Sequence, residues 1–252
     1  MIVLLPPSET KRGGGDGPPL RLRELANPGL CPLRSALVGE LVDLAADPVA
    51  CRAALGLSAA QDAEIERNAA LHEAPTLPAI RRYTGVLYDA LDIESLRGAQ
   101  ATRAQTRLFI GSALFGLLRA DDQVPAYRLS ATSKLPGRPT LAVRWRPLLE
   151  PVLAELAAEN LVVDLRSGSY VALGRTSSAV SVDVVAQHAD GRRTSVTHFT
   201  KAYKGRLARA LATTRAEPND AAAVAAVARR AGMCVERRGN ALTLVVPAGP
   251  GH

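Results

Sequence analysis

Apolar residues along this chain fall into short unbroken runs, alternating stretches, and spacings of three and four. The opening run Ile2-Val-Leu-Leu5 reads as a buried first strand. Residues 6–12 then lead into the glycine-rich loop Gly13-Gly-Gly-Asp-Gly-Pro-Pro19. From about Cys31 to Ala90 the pattern is helical: Leu33, Leu37, Leu41 and Leu44 recur on one face, and Ser58 with Gln61 forms a capping box. Pro75 and Pro78 punctuate this region, and a further helix is predicted from Pro78 toward Leu91. Residues 106–111 read as a short buried strand, followed by a small-residue turn and a helix through Leu118. An amphipathic helix is predicted over 147–160, with Leu148, Leu149, Val152 and Leu156 on one stripe. Strands follow at 161–165 and 180–185.

The dipeptide Asp190-Gly191 signals a hairpin into a strand over 194–199. A two-residue turn there would pair residue 189 with 192 and set Asp183 across from His198. Helices are expected over 200–213 and 219–231, then a closing hairpin over 233–246 split at Gly239-Asn240. Helices and strands mix without a strict βαβ rhythm and without repeats. The expected class is therefore α+β, one domain over residues 1–246 with a disordered tail at 247–252.

Composition narrows the class. A chain of 252 residues with 47% hydrophobic and 22% charged positions builds an adequate globular core. No apolar run approaches the roughly 18 residues of a spanning helix, and the start lacks the charged segment of a signal peptide. No membrane partner is expected. Cys31, Cys51 and Cys234 form no C-x-x-C pair, which points to a reducing, cytoplasmic setting. His72, His188, His198 and His252 have no ligand spacing, so no metal is expected, and no cofactor motif is present. The Gly13–Pro19 loop lacks the Gly-Lys-Ser/Thr of a nucleotide P-loop, and no G-x-S-x-G occurs. Direct peroxide reduction by cysteine has little support, because no cysteine lies within residues 123–149 or 191–215, where the excess positive charge is concentrated.

The charge is unevenly distributed. Lys+Arg number 31 against 24 Asp+Glu, yet residues 123–149 and 191–215 together hold twelve cations and no acid. The rest of the chain is net acidic. Such windows suit an anionic partner, most simply a phosphate backbone; a solvated basic helix face with basic loops is the competing account, and the order-forming residues Tyr127, Trp145, Phe199 and Tyr203 within the windows favour function. Within them, Tyr203, Leu207 and Leu211 share one stripe of the helix after Phe199, while Lys201, Arg206 and Arg209 spread over the other side. Thr200 near that helix start, with Lys201, would suit a phosphate. The loop Ser130-Ala-Thr-Ser-Lys134-Leu-Pro-Gly-Arg138 offers hydroxyls and cations. Ser167-Gly-Ser169 is a turn just past a strand end, where ligands sit in many mixed folds.

Several segments together resemble the YaaA-like peroxide-stress family. They are Leu5-Pro-Pro-Ser-Glu-Thr-Lys11, Tyr83-Thr-Gly85 with Tyr88, Gly111 through Phe115-Gly116-Leu-Leu-Arg119, and Asp122. Further on come Pro125 with Tyr127-Arg128, Leu165 with Ser167-Gly-Ser-Tyr170, and Lys201-x-x-Lys204-Gly205-x-x-x-Arg209. The resemblance implies a cytoplasmic protein limiting iron-dependent DNA damage under hydroperoxide, a mixed fold with a basic cleft, DNA binding, and links to repair. Two departures stand out. Many members read Ser-Pro-x-Lys-Thr at the N-terminus, whereas here Pro6 replaces the serine, Glu9 the lysine, and Lys11 sits two places later. The segment Asn68–Pro75, where members can carry a helix-hairpin-helix, is short and has no glycine.

Two functions follow as expectations. The first is a stress-response protein gripping phosphates of duplex or distorted DNA through Arg119, Arg128, Lys134, Lys201, Lys204, Arg206 and Arg209, with Ser167 and Ser169 as secondary donors. About five neutralised phosphates would give a salt slope of about −4 to −5. The second is an enzyme acting on a nucleotide-like ligand or damaged base. Ser8, Thr10, Tyr83, Tyr88, Tyr127 and Tyr170 would line its pocket, and Lys11 or Lys201 would be its nucleophile.

Overall fold

The opening apolar run forms strand β1 (Ile2–Leu5), buried at every residue and central in the main sheet. The structure, a computed structural model, describes residues 1–195 and 197–248. After β1 come the short strand β2 (Gly17–Pro19), then helices α1 (Cys31–Ala45), α2 (Pro48–Leu55) and α3 (Asp62–Ala69). Leu37 and Leu41 of α1 are buried, and Asp47 caps α2 through the amides of Val49 and Ala50. The predicted capping box at Ser58 and Gln61 is present and leads into α3.

Next come β3 (Pro75–Pro78), the single turn α4 (Ala79–Arg82), α5 (Val86–Leu91) and α6 (Gly98–Arg107). They are followed by β4 (Leu108–Ser112), β5 (Gly116–Arg119), β6 (Gln123–Val124) and the long helix α7 (Leu141–Glu159). The last third holds β7 (Val162–Asp164), the short α8 (Gly168–Val171), β8 (Val180–Gln187) and β9 (Arg193–Ser195). It ends with α9 (Thr197–Thr213), α10 (Ala221–Arg230), β10 (Val235–Arg238) and β11 (Ala241–Pro247).

The architecture is mixed α/β with a mostly parallel central sheet of order β10-β11-β8-β7-β1-β4-β5, β9 pairing with the far half of β8. Strand β1 lies parallel between β4 and β7, and β8 lies parallel to β7 and β11. A small antiparallel sheet runs β2-β3-β6. The chain leaves β1 toward β4 on one side, and leaves β7 toward β8 on the other. The carboxyl ends of β1 and β7 therefore flank a topological switch point, where open α/β sheets place ligands. At the sheet's end, β10 is an edge strand with Glu236, Arg237 and Arg238 exposed.

Several expectations need correction. The helix expected from Pro78 to Leu91 is broken. Pro75–Pro78 is a strand, and Tyr83 leaves α4 in extended backbone to bridge Lys11. The helix expected through Leu118 is instead strand β5, paired antiparallel with β4. Gly116 turns the chain there at φ +75°, and a side chain at that position would run into the Trp145 ring.

Helix α7 starts at Leu141 rather than at Pro147. It carries Pro147 and Pro151 internally and buries Leu141, Trp145, Leu149 and Leu153. The predicted stripe was therefore displaced, and Leu148 is exposed. The hairpin after β8 closes through His188 and Arg192 rather than 189 and 192. Val185 thus faces Ser195, and the chain is helical from Thr197. His198 belongs to that helix and not to a strand opposite Asp183; its side chain lies outside the described residues. Pro247 ends β11 instead of starting a tail, and residues 249–252 of the expected tail also lie outside the described residues.

Candidate active site

The segment leaving β1 crosses the switch point and is fixed from below by arginine. Arg82, fully buried, donates to the carbonyls of Val124 (3.0 Å), Pro75 (3.1 Å) and Arg12. The Arg12 amide returns a bond to the Arg82 carbonyl (2.9 Å). With no acid among these partners, burial lowers the Arg82 pKa to about 10. This stitching holds Lys11 against Tyr83. Above Lys11, residues 8–10 form a strap. Ser8 donates to the Thr10 carbonyl (2.5 Å) and accepts from the Thr84 amide (3.0 Å), and the Thr84 and Thr10 hydroxyls meet at 3.2 Å.

Lys11 is 8% exposed. Its Nζ lies 4.2 Å from the centroid of the Tyr127 ring and 5.5 Å from that of Tyr83, and it donates to the Ser8 and Glu9 carbonyls at 3.2 Å. Ring faces and carbonyls favour a cation, but they do not replace lost water. Burial, with Arg128 next in weight, lowers the Lys11 pKa from 10.5 to about 7; Glu64 and Glu9 oppose the shift and Arg67 adds to it. The amine thus titrates near neutrality rather than well above it.

Beneath the amine runs a buried hydroxyl chain. Tyr83 Oη meets Tyr127 Oη at 2.9 Å, and Tyr127 Oη meets Ser112 Oγ at 2.7 Å. Ser112 Oγ in turn accepts from the Phe115 amide at 2.9 Å. Tyr88 stacks on Tyr83 and donates to the Pro6 carbonyl (2.9 Å). Burial raises the pKa of all three tyrosines, which stay protonated. Tyr170, half-buried at the start of the β7–β8 connection, is also pushed up, to about 12, mainly by burial; Glu9 and Arg128 both act on it. Arg128 is held by its backbone. Its amide donates to Asn68 Oδ1 (2.8 Å) and its carbonyl accepts from Asn68 Nδ2 (2.9 Å), while its guanidinium meets Glu9 Oε2 at 2.5 Å.

With this geometry in place, the comparisons with known proteins fit one family. The profile described as peroxide stress protein YaaA matches residues 1–231. The chain belongs to the YaaA peroxide-stress family. It is 47% identical over 256 residues to a UPF0246 protein of Corynebacterium efficiens, covering 98% of this chain and 100% of the relative. A UPF0246 protein of Corynebacterium glutamicum is 45% identical over 253 residues (98% and 100%), and one of Streptomyces coelicolor 43% over 240 residues (94% and 92%).

Of the predicted pocket residues, Tyr83, Tyr127 and the Ser8 carbonyl contact Lys11 directly; Tyr88 stacks on Tyr83, Thr10 bonds Ser8 and Thr84, and Tyr170 lies within the influence of Glu9 and Arg128. The other cations do not join them. Arg119 pairs in register with Phe109, near the amino end of β4, and faces Asp121. Lys134 is exposed in its loop. Lys201 and Arg206 are exposed on α9, with the Arg206 guanidinium over the Tyr203 ring. Helix α9 begins at Thr197, so Thr200 and Lys201 stand inside it and not at its start.

Arg209 is engaged with the protein, donating to the carbonyls of Leu91 and Asp92 and to Ser95 Oγ. Lys204 donates to the Leu165 carbonyl (3.1 Å) and lines a cavity of about 580 Å³ with Asp164, Arg166 and Asp183. Its burial lowers its pKa. Ser167 and Ser169 are exposed and contact each other at 3.3 Å. Sequence reasoning missed Asn68, Arg82, Ser112 and the part played by Glu9. Among the described residues no group of three His, Cys, Asp or Glu is placed to hold a metal, and no helix is long and apolar enough to cross a membrane.

Proposed function

We propose that this peroxide-stress protein captures a carbonyl group on a damaged nucleotide or on oxidised DNA, with Lys11 as nucleophile. One observation carries the reading: a buried amine, pKa about 7, set against two tyrosine rings at the sheet's switch point. The neutral Nζ attacks the carbonyl carbon. Both amine hydrogens leave with the carbonyl oxygen as water, and a C=N bond joins Lys11 to the ligand. Tyr83 and Tyr127, protonated throughout, position the amine and shield the adduct. Peroxide damage to deoxyribose leaves aldehydes of this kind, so an abasic site is the natural first probe.

Borohydride added to protein and abasic duplex should leave a covalent adduct that maps to Lys11. Its rate should rise with pH through about 7, and it should vanish in Lys11→Arg. An adduct mapping elsewhere, or no adduct with the wild type, would rule the assignment out.

Phosphate gripping is supported as a second reading by the exposed cations Lys134, Lys201 and Arg206, which would contact backbone phosphates. Reversing Lys201 and Arg206 to Glu should weaken retention of duplex DNA without changing thermal stability. Unchanged retention would remove DNA as the partner.

A further inference from the structure

We propose that Glu9 is a resident stand-in for an anionic group of the ligand, and that Arg128 receives that group when a phosphate or carboxylate displaces Glu9. The inference rests on the Lys11 reading only for the carbonyl that the same ligand brings. Three features support it.

Arg128 is prepared for an anion. Asn68 clamps its backbone on both sides, and its side chain is 13% exposed. Of its five N–H donors, one meets Glu9, and among the described residues the others have no hydrogen-bond partner, leaving a fork for a bidentate anion.

Glu9 is held loosely in comparison. Its side chain is 66% exposed and touches Arg128 through one oxygen. Its own exposure lets it move into water once another anion pairs with the largely buried Arg128 in its place.

Finally, the Glu9 residue covers both groups. Its carboxylate sits on Arg128, and its carbonyl, with that of Ser8, sits on the Lys11 amine. An anion that takes Arg128 frees the strap over Lys11. The site thereby selects carbonyl compounds that carry a negative group close to the carbonyl, and rejects neutral aldehydes.

Inorganic phosphate is the first probe, followed by the NMR signal of Arg128 Nε–H. Glu9→Gln should tighten phosphate binding about fivefold, the factor expected for removing a competing surface carboxylate, and Arg128→Gln should abolish it. Glu64→Gln supplies the control. Glu64 also acts on Lys11 but is paired with Arg67 rather than Arg128, so its loss should change affinity less than about twofold. Equal tightening by both variants, or none by Glu9→Gln, overturns the proposal.

Borohydride trapping then separates the sources of the anion. Glu9→Gln should speed adduct formation with glyoxylate if the ligand is a small acid, or with abasic duplex if the group is a DNA phosphate. Faster trapping with neither overturns the proposal. Phosphate binding that follows these rules without any Lys11 adduct would defeat the imine reading alone, while adducts indifferent to Glu9 and Arg128 would defeat the present inference alone.

Discussion

Lys11 makes a thermodynamic prediction of its own. Its pKa falls from 10.5 to about 7 on folding, so between those values the unfolded chain holds a proton that the folded chain has lost. Stability must therefore rise with pH across that window, and the full burial penalty applies below about 7. Thermal unfolding should show the midpoint climbing from pH 7 to pH 9.5, and Lys11→Met should flatten the climb and stabilise the protein at pH 6. Above about pH 10 the buried tyrosines reverse the sign, because only the unfolded state then ionises them.

Asn68 offers a second test at this scale. Asn68→Leu leaves the Arg128 amide and carbonyl without partners and should cost about 1–3 kcal/mol in urea denaturation. Lys11 and the tyrosines were legible because they stand in recognisable motifs. Asn68 was not, because its role depends on a partner 60 residues away and nothing local marks it.

At the scale of elements, α5 and α9 approach closely at Gly205. A Cβ added at Gly205 would lie 2.2 Å from the Leu87 carbonyl oxygen and 2.8 Å from Ala90 Cβ, so the two backbones touch. Gly205→Ala should force the helices apart at a cost of about 1–3 kcal/mol, read by denaturant unfolding. Displacing α9 should also disturb Lys204 and the Arg209 cap on α5, giving a larger loss than an isolated surface substitution. Periodicity revealed α1, α10 and the closing hairpin, since each alternates or repeats over enough residues to be distinctive. It failed for β5, whose four residues Gly-Leu-Leu-Arg fit a helix turn as well as a strand. Only pairing with β4 and the Trp145 ring behind Gly116 decide between them. The helix expected over 147–160 begins earlier, at Leu141 behind the Thr140 cap, because the apolar stripe alone does not mark the first turn.

For the whole molecule, the two acid-free windows prove less free of acid in space than in sequence. Arg144 and Arg138 share Glu40, Arg128 meets Glu9, Arg193 meets Glu236, and Arg209 faces Asp92. Local composition could not reveal this, because each acid comes from an element far along the chain. Of the cations suggested for DNA contact, Lys134, Lys201 and Arg206 remain exposed and without an acidic partner among the described residues. The log-affinity against log-salt slope on duplex DNA should accordingly be no steeper than about −3, against the −4 to −5 that five free cations would give. Fluorescence anisotropy over a salt series measures it.

The charged edge at β10 has a consequence for how copies of the chain meet one another. A sheet whose last strand offered an apolar face and open amides would invite a second sheet to continue it, copy after copy. Here Glu236, Arg237 and Arg238 line that last strand, and Arg193 reaches across to hold Glu236. Any strand added alongside must strip water from these charges. The terminal strand is thus poorly suited to edge-to-edge pairing, and replacing Glu236 and Arg237 with threonine should make light scattering grow more steeply with concentration than in the unsubstituted protein.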